Sequence, residues 1–157
     1  LVTSAERDGM RLIAVVLGTD SKLARKEESR KMLGYGFRFY ETPKVLSAGQ
    51  SLSDPPARVW KGAADSVRLG VTRDVFVTVP RGRAAELKAA YVVDEEHQAI
   101  EAPVEAGAAM GTVTVSLDDE VVLQEPLAAL DSVERGGFFG VFWDSLVLFF
   151  LKLFGQA

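Results

Sequence analysis

Side chains able to do chemistry are few in this 157-residue chain, and they lie far apart. There is no cysteine and no asparagine, and the one histidine, His97, sits in the run Asp94-Glu95-Glu96-His97-Gln98. Three carboxylates beside an imidazole are the raw material of a metal site or an acid–base pair. Catalysis also needs a partner group held against the base, and none accompanies this run, so it reads as a solvated turn. Asp118, Asp119 and Glu120 form a second acidic cluster. It lacks the ligand spacing of a calcium loop and reads as a hairpin turn. Gly34-Tyr35-Gly36 lies inside a helical pattern rather than after a strand, which removes a dinucleotide-binding reading. Arg81-Gly82-Arg83 reads as a turn carrying two charges. The residues therefore predict no catalytic group, no metal and no cofactor within this chain. Without cysteine there is also no disulfide and no thiolate chemistry, a composition that fits an exported protein.

Charge and composition narrow the partners. The net charge is −4 with a pI near 5.1, while 48% of residues are hydrophobic and 25% charged. An acidic chain of ordinary apolar content is a poor nucleic-acid binder and has no polybasic grip on a membrane. Any membrane attachment must come from apolar insertion.

The elements that would position these residues fall into three stretches. Leu1 to Leu17 is two strand-like runs joined by Asp8-Gly9, a two-residue hairpin signal. The second run, Met10 to Leu17, is almost continuously apolar, which predicts a strand covered on both faces. Two strands alone are marginal in water, so a larger sheet is expected to continue this hairpin. Thr19-Asp20-Ser21 then offers N-caps for a helix over about Lys22 to Tyr40, stopped by Thr42-Pro43. Leu23, Leu33, Phe37 and Tyr40 mark its expected packing side, Glu27 and Lys31 an expected ion pair, and Gly34 and Gly36 a bend or close approach to a sheet.

From Lys44 to Asp131 the texture changes to short strands separated by turns. Candidate strands are Arg58–Trp60, Ser66–Gly70, Val75–Val79, Leu87–Val93, Gln98–Ala102, Met110–Leu117 and Glu120–Gln124. Turns at roughly ten-residue spacing predict a small all-β sandwich or barrel. Glu134-Arg135-Gly136-Gly137 reads as a hinge.

The stretch beyond that hinge is unlike the rest. Residues 138–154 read FFGVFWDSLVLFFLKLF, thirteen of seventeen apolar, with six of the chain's nine phenylalanines. On a helix, Gly140, Asp144, Leu148 and Lys152 form one stripe. Phe138, Phe139, Phe142, Trp143, Leu146, Phe149, Phe150, Leu153 and Phe154 cover most of the remainder. Such a helix is about 25 Å long, a little short of the ~30 Å hydrocarbon core. A narrow polar stripe with two embedded charges favours a helix lying in a membrane interface. A membrane span and a helix buried in a core or oligomer, its aromatic face hidden by self-association, are the alternatives.

Read together, Leu1–Thr42 (VTSAERDGMRLIAVVLGT, then ARKEESRKMLGYGFRFYET), RLGVTRDVFVTVPRGRAAELKAAYV and PLAALDSVERGGFFGVFWDSL resemble, in order, the last part of low-molecular-weight D-alanyl-D-alanine carboxypeptidases of the penicillin-binding protein 5 and 6 type. The resemblance implies an α+β chain. Residues 1–42 would end a transpeptidase/β-lactamase-like catalytic domain as a hairpin plus helix, 43–132 would be a β-rich C-terminal domain, and 133–157 a hinge and amphipathic membrane-anchor helix. It further implies a parent serine enzyme at the periplasmic face of the bacterial inner membrane. That enzyme would trim the terminal D-alanine of peptidoglycan pentapeptides and be trapped by β-lactams. The family's S-x-x-K, S-x-N and K-T-G motifs are all missing here, so this chain would supply stalk and anchor and be inactive alone. One site residue carries over. Arg25, in LARKEES, matches the family's arginine near the active-site mouth, which helps hold the substrate's terminal carboxylate. The plainer alternative is a helix-face arginine, solvated or paired with Glu28. A non-enzymatic, membrane-tethered β-module that binds a protein partner is the competing reading of the whole chain.

Overall fold

The computed structural model describes residues 1–97, 99–137, 144, 145 and 147. In chain order the strands are β1 (Val2–Arg7), β2 (Met10–Val15), β3 (Tyr40–Glu41), β4 (Lys44–Leu46), β5 (Ala57–Trp60), β6 (Ser66–Val67), β7 (Leu69–Gly70), β8 (Val75–Phe76), β9 (Val79–Pro80), β10 (Lys88–Val93), β11 (Ile100–Glu101), β12 (Ala109–Leu117) and β13 (Glu120–Ala129). The long α-helix of the described residues, α1 (Lys22–Phe39), follows β2. The fold is mostly β with one helix. Its contacts form two units: Leu1–Lys44 with Phe76–Leu87, and Val45–Val75 with the described residues from Lys88 onward.

The first unit begins with the expected hairpin. Asp8 and Gly9 both take positive φ (50° and 78°), the two-residue turn whose twist matches antiparallel strands, and β1 pairs with β2 from Arg7–Met10 out to Val2–Val15. The two-faced burial expected of β2 is not observed. Met10 and Ala14 are buried, while Ile13 and Val15 are exposed, because α1 covers only one face of the hairpin. Ser21 caps α1, its Oγ accepting from the Ala24 N–H at 3.0 Å. The packing face of the helix matches the expected one at Leu33 and Phe37 and departs from it at the two ends. Ser29 and Phe37 are buried with Leu33 between them, at four-residue spacing, whereas Leu23 is 65% exposed and Tyr40 37%. Gly36 sits against Leu12 of β2, where a Cβ would collide with the leucine side chain, so the glycine there serves close helix–strand approach. On the solvent face Lys31 pairs with Glu28 at 2.7 Å rather than with Glu27. Both spacings are adjacent on a helix surface, and rotamer choice decides between them.

A distant segment closes the end of this helix. The Arg81 guanidinium donates to the carbonyls of Phe37, Arg38 and Tyr40 at 3.1, 3.2 and 3.3 Å, and the Arg81 N–H donates to Phe39 O at 2.8 Å. A helix C-terminus leaves unpaired carbonyls and partial negative charge, and a guanidinium answers both. Beside it β9 pairs antiparallel with β3, and the Gly82 N–H donates to Glu41 Oε1 at 2.8 Å. The continuous strand expected over Val75–Val79 is instead split into β8 and β9. Pro43, which has no N–H to give, interrupts the pairing at that point, where Val77 N–H donates to Pro43 O at 3.2 Å.

In the second unit two sheets share one core. The larger has the order β10-β12-β13-β7 and the smaller β11-β5-β6, with β11 parallel to β5. Alternation decides which residues are enclosed: Val113 and Val115 of β12 and Leu127 and Ala129 of β13 are at most 1% exposed, and Val113, Leu127 and Ala129 share one core cluster with Val59, Val67, Leu69 and Ile100. Asp118 and Asp119, at φ 53° and 64°, make the β12–β13 turn. Strand β13 runs five residues past its expected end, through Pro126. Pro126 lies opposite Thr112 of β12, while on the other side of β13 the partner β7 reaches only Ala128 and Ala129, which leaves the proline at an edge where it is tolerated. On the surface, Arg68 donates to Asp131 at 2.8 and 2.6 Å, and this hydrogen bonding holds the aspartate carboxyl below its usual range.

Leu127→Ala leaves a cavity at the most enclosed point of the second unit and should cost about 2–5 kcal/mol, read as a lowered denaturant midpoint. Arg81→Ala should cost about 1 kcal/mol, the exposed guanidinium being partly screened. Its effect should be local, as faster amide exchange in the last turn of α1 with the second unit's core unchanged.

Candidate functional site

Each chemically capable residue singled out in the sequence has a definite place in the structure. Asp94 and Glu95 are exposed, and His97 closes a one-turn 3-10 helix, its N–H bonded to Asp94 O at 2.8 Å. The imidazole is half-buried with Nδ1 unpartnered among the described residues. Among those residues, no three His, Cys, Asp or Glu side chains converge in a way that could hold a metal ion. Asp119 lies in its turn at 3.8 Å from Lys88, a loose surface contact. The Arg81-Gly82-Arg83 turn is engaged throughout: Arg81 on the α1 carbonyls, Gly82 on Glu41, and Arg83 on Glu86 at 2.6 Å. Sequence inspection sees the two charges of that turn, but the helix end that Arg81 serves lies more than forty residues upstream, and no local pattern announces it.

A cavity of about 360 Å³ opens in the first unit beside this turn, lined by Arg7, Asp8, Phe37, Glu41 and Arg81 among others. Three of its four charged groups are already committed. Arg7 stacks over the Phe37 ring at 4.7 Å, Arg81 caps the helix, and Glu41 accepts from Gly82.

Arg25 stands in the first turn of α1, half-buried. Its Nε lies 3.5 Å from Ser21 O, at the limit of a hydrogen bond. Glu28, the other partner considered for it, is taken by Lys31. Among the described residues Arg25 makes no ion pair, and Lys22 and Lys26 are exposed near it. The helix start thus carries a guanidinium with uncommitted N–H groups, a group suited to a carboxylate.

The third place is the root of the terminal segment. Here the expected hinge is pinned: Ala63 N–H donates to Glu134 O and Gly136 N–H to Lys61 O, each at 2.8 Å, and Gly62 bridges to Arg135. Asp144, Ser145 and Val147 are helical. The nine apolar positions read as an anchor (Phe138, Phe139, Phe142, Trp143, Leu146, Phe149, Phe150, Leu153 and Phe154) lie outside the described residues. Among the described residues no helix is long and apolar enough to cross a membrane.

A family model described as penicillin-binding protein 5, C-terminal domain, matches residues 40–135. The chain is 40% identical to D-alanyl-D-alanine carboxypeptidase DacA of Escherichia coli strain K12 over 155 residues, covering 99% of this chain and 38% of that protein. It is 39% identical to DacC of the same strain over 156 residues, with the same coverage. Crystal structures of penicillin-binding protein 5 from Haemophilus influenzae match with a TM-score of 0.74 and 37% identity, over 86% of this chain and 38% of that one. The chain thus spans under two-fifths of the length of these relatives. With more than half of its residues matched by the family model, the chain belongs to the penicillin-binding protein 5 C-terminal domain family.

Proposed function

We propose that this chain is the carboxy-terminal part of a serine-type D-alanyl-D-alanine carboxypeptidase, which removes the terminal D-alanine of peptidoglycan pentapeptides and is acylated by β-lactams. The observation that carries the reading is the near-complete alignment of this chain, at 40% identity, with 38% of a protein named for that activity. Within it, residues 1–42 end the catalytic domain, 43–132 form a β-rich stalk, and 133–157 are the hinge and a helix lying on the periplasmic face of the inner membrane. The exposed apolar face of β2, with Ile13 67% and Val15 54% exposed, supports further strands or helices of a catalytic domain packing there. The family's catalytic motifs are not in these 157 residues, so the stalk and anchor do no bond-breaking themselves. Their task is spacing: a stiff two-sheet module holds the active site off the lipid and toward the wall.

In this reading Arg25 binds substrate. Its unpaired guanidinium in the first turn of α1 pairs with the terminal carboxylate of the wall peptide, orienting the scissile bond toward a serine elsewhere in the parent.

A full-length parent should be labelled covalently by a penicillin, and this chain alone should not. In the parent, Arg25→Ala should lower kcat/KM for a peptide ending in D-Ala-D-Ala roughly tenfold or more, the loss of one charge-assisted pair. Unchanged kinetics would remove Arg25 from the site. The chain should sediment with phospholipid vesicles, and a version ending at Gly136 should remain in the supernatant. Equal sedimentation of the two would overturn the anchor.

A further inference from the structure

Lys61 ends β5 in a left-handed turn, with φ of 59°, a conformation uncommon for a side-chain-bearing residue. Every polar group of this residue is directed to a partner. Its carbonyl accepts from the Gly136 N–H at 2.8 Å. Its ammonium pairs with Glu101 Oε2 at 2.6 Å, and the lysine side chain is only 20% exposed. Its own N–H donates to the carboxylate of Asp144, Oδ2 at 2.6 Å. The two faces of one peptide-bearing residue therefore grip the chain on either side of residues 137–143. The grip is close as well as polar, since a Cβ at Gly136 would lie 2.6 Å from Gly62 O and 3.3 Å from Lys61 O.

Asp144 is also the only acid among residues 138–154. A carboxylate inserted into an apolar interface is unfavourable, and one facing anionic headgroups is repelled by them. A backbone N–H in a half-buried setting is a favourable alternative partner, because the bond is charge-assisted and short.

We propose that the Lys61 turn is a docking site for the terminal segment of this same chain, with the Asp144 carboxylate as the latch. The latch takes the segment's one acid onto the β-module and joins segment and module into one body. In the reading of this segment as a lipid anchor, on which the consequence rests, the stalk then stands on the membrane in a fixed attitude rather than swinging from a free hinge.

Amide exchange of Lys61 in the full chain tests this, measured for wild type, Asp144→Ala and Asp144→Asn, in solution and on vesicles of equal parts phosphatidylethanolamine and phosphatidylglycerol. Asp144→Ala should speed exchange at Lys61 by roughly tenfold or more, while Asp144→Asn, which keeps an acceptor oxygen, should lie between. Protection at Val113 and Leu127 should be unchanged in all three, reporting an intact module. Equal Lys61 exchange in wild type and Asp144→Ala overturns the latch, whether or not the chain binds vesicles. Fast exchange in Asp144→Ala from a chain that stays off vesicles supports the latch and removes the anchor reading. Lys61 protection that is lost when wild type binds vesicles would mean that lipid releases the segment, and it overturns the fixed attitude.

Discussion

The burial of the inward faces of β12 and β13 is the constraint on which the second unit depends. Val113, Val115, Leu127 and Ala129 have essentially no solvent contact, and among the described residues no other pair of strands matches these two in length. Their register is set by a two-residue turn in which two aspartates accept positive φ, and a slip of one residue would turn the valines outward. The short strands β5, β6, β7 and β11, of two to four residues each, could not persist unsupported. They are held because their own apolar residues, Val59, Val67, Leu69 and Ile100, complete the same core.

The first unit is organised differently. Its single helix covers one side of a two-stranded hairpin, and the contacts are few: Phe37 and Leu33 over the strands, with Gly36 closing onto Leu12. Polar closure compensates for the small apolar interface. Ser21 at one end of α1 and Arg81 at the other satisfy backbone groups that the helix itself leaves open. The opposite face of the hairpin retains Ile13, Val15 and Leu17 in solvent, an arrangement suited to partners from a larger domain.

Chemistry in this chain is a matter of placement rather than of reaction. The acidic runs that first attract attention lie in or beside turns, and cations such as Arg68, Arg73 and Arg83 are spent on carboxylates. What stands out are two groups at element ends, Arg25 at the start of a helix and Lys61 at the end of a strand. One has N–H groups to offer, and the other is engaged through both its backbone and its side chain.

Local signals were legible wherever the physics is local. The Asp8-Gly9 and Asp118-Asp119 turns, the Ser-capped helix from Lys22, the strand rich in β-branched residues at Met110–Leu117 and the mostly-β character could all be read from neighbours within a few residues. Order along the chain also carried the family resemblance. Tertiary structure alone decided the rest. Which face of α1 packs depended on where the hairpin lay, and that exposed Leu23 and buried Ser29. The return of Phe76–Leu87 to the first unit, the capping of α1 by Arg81, and the engagement of Asp144 by Lys61 join residues about forty to eighty positions apart. Hydrogen bonds act over about 3 Å and carry no trace along the sequence, so only the folded chain could bring those partners together.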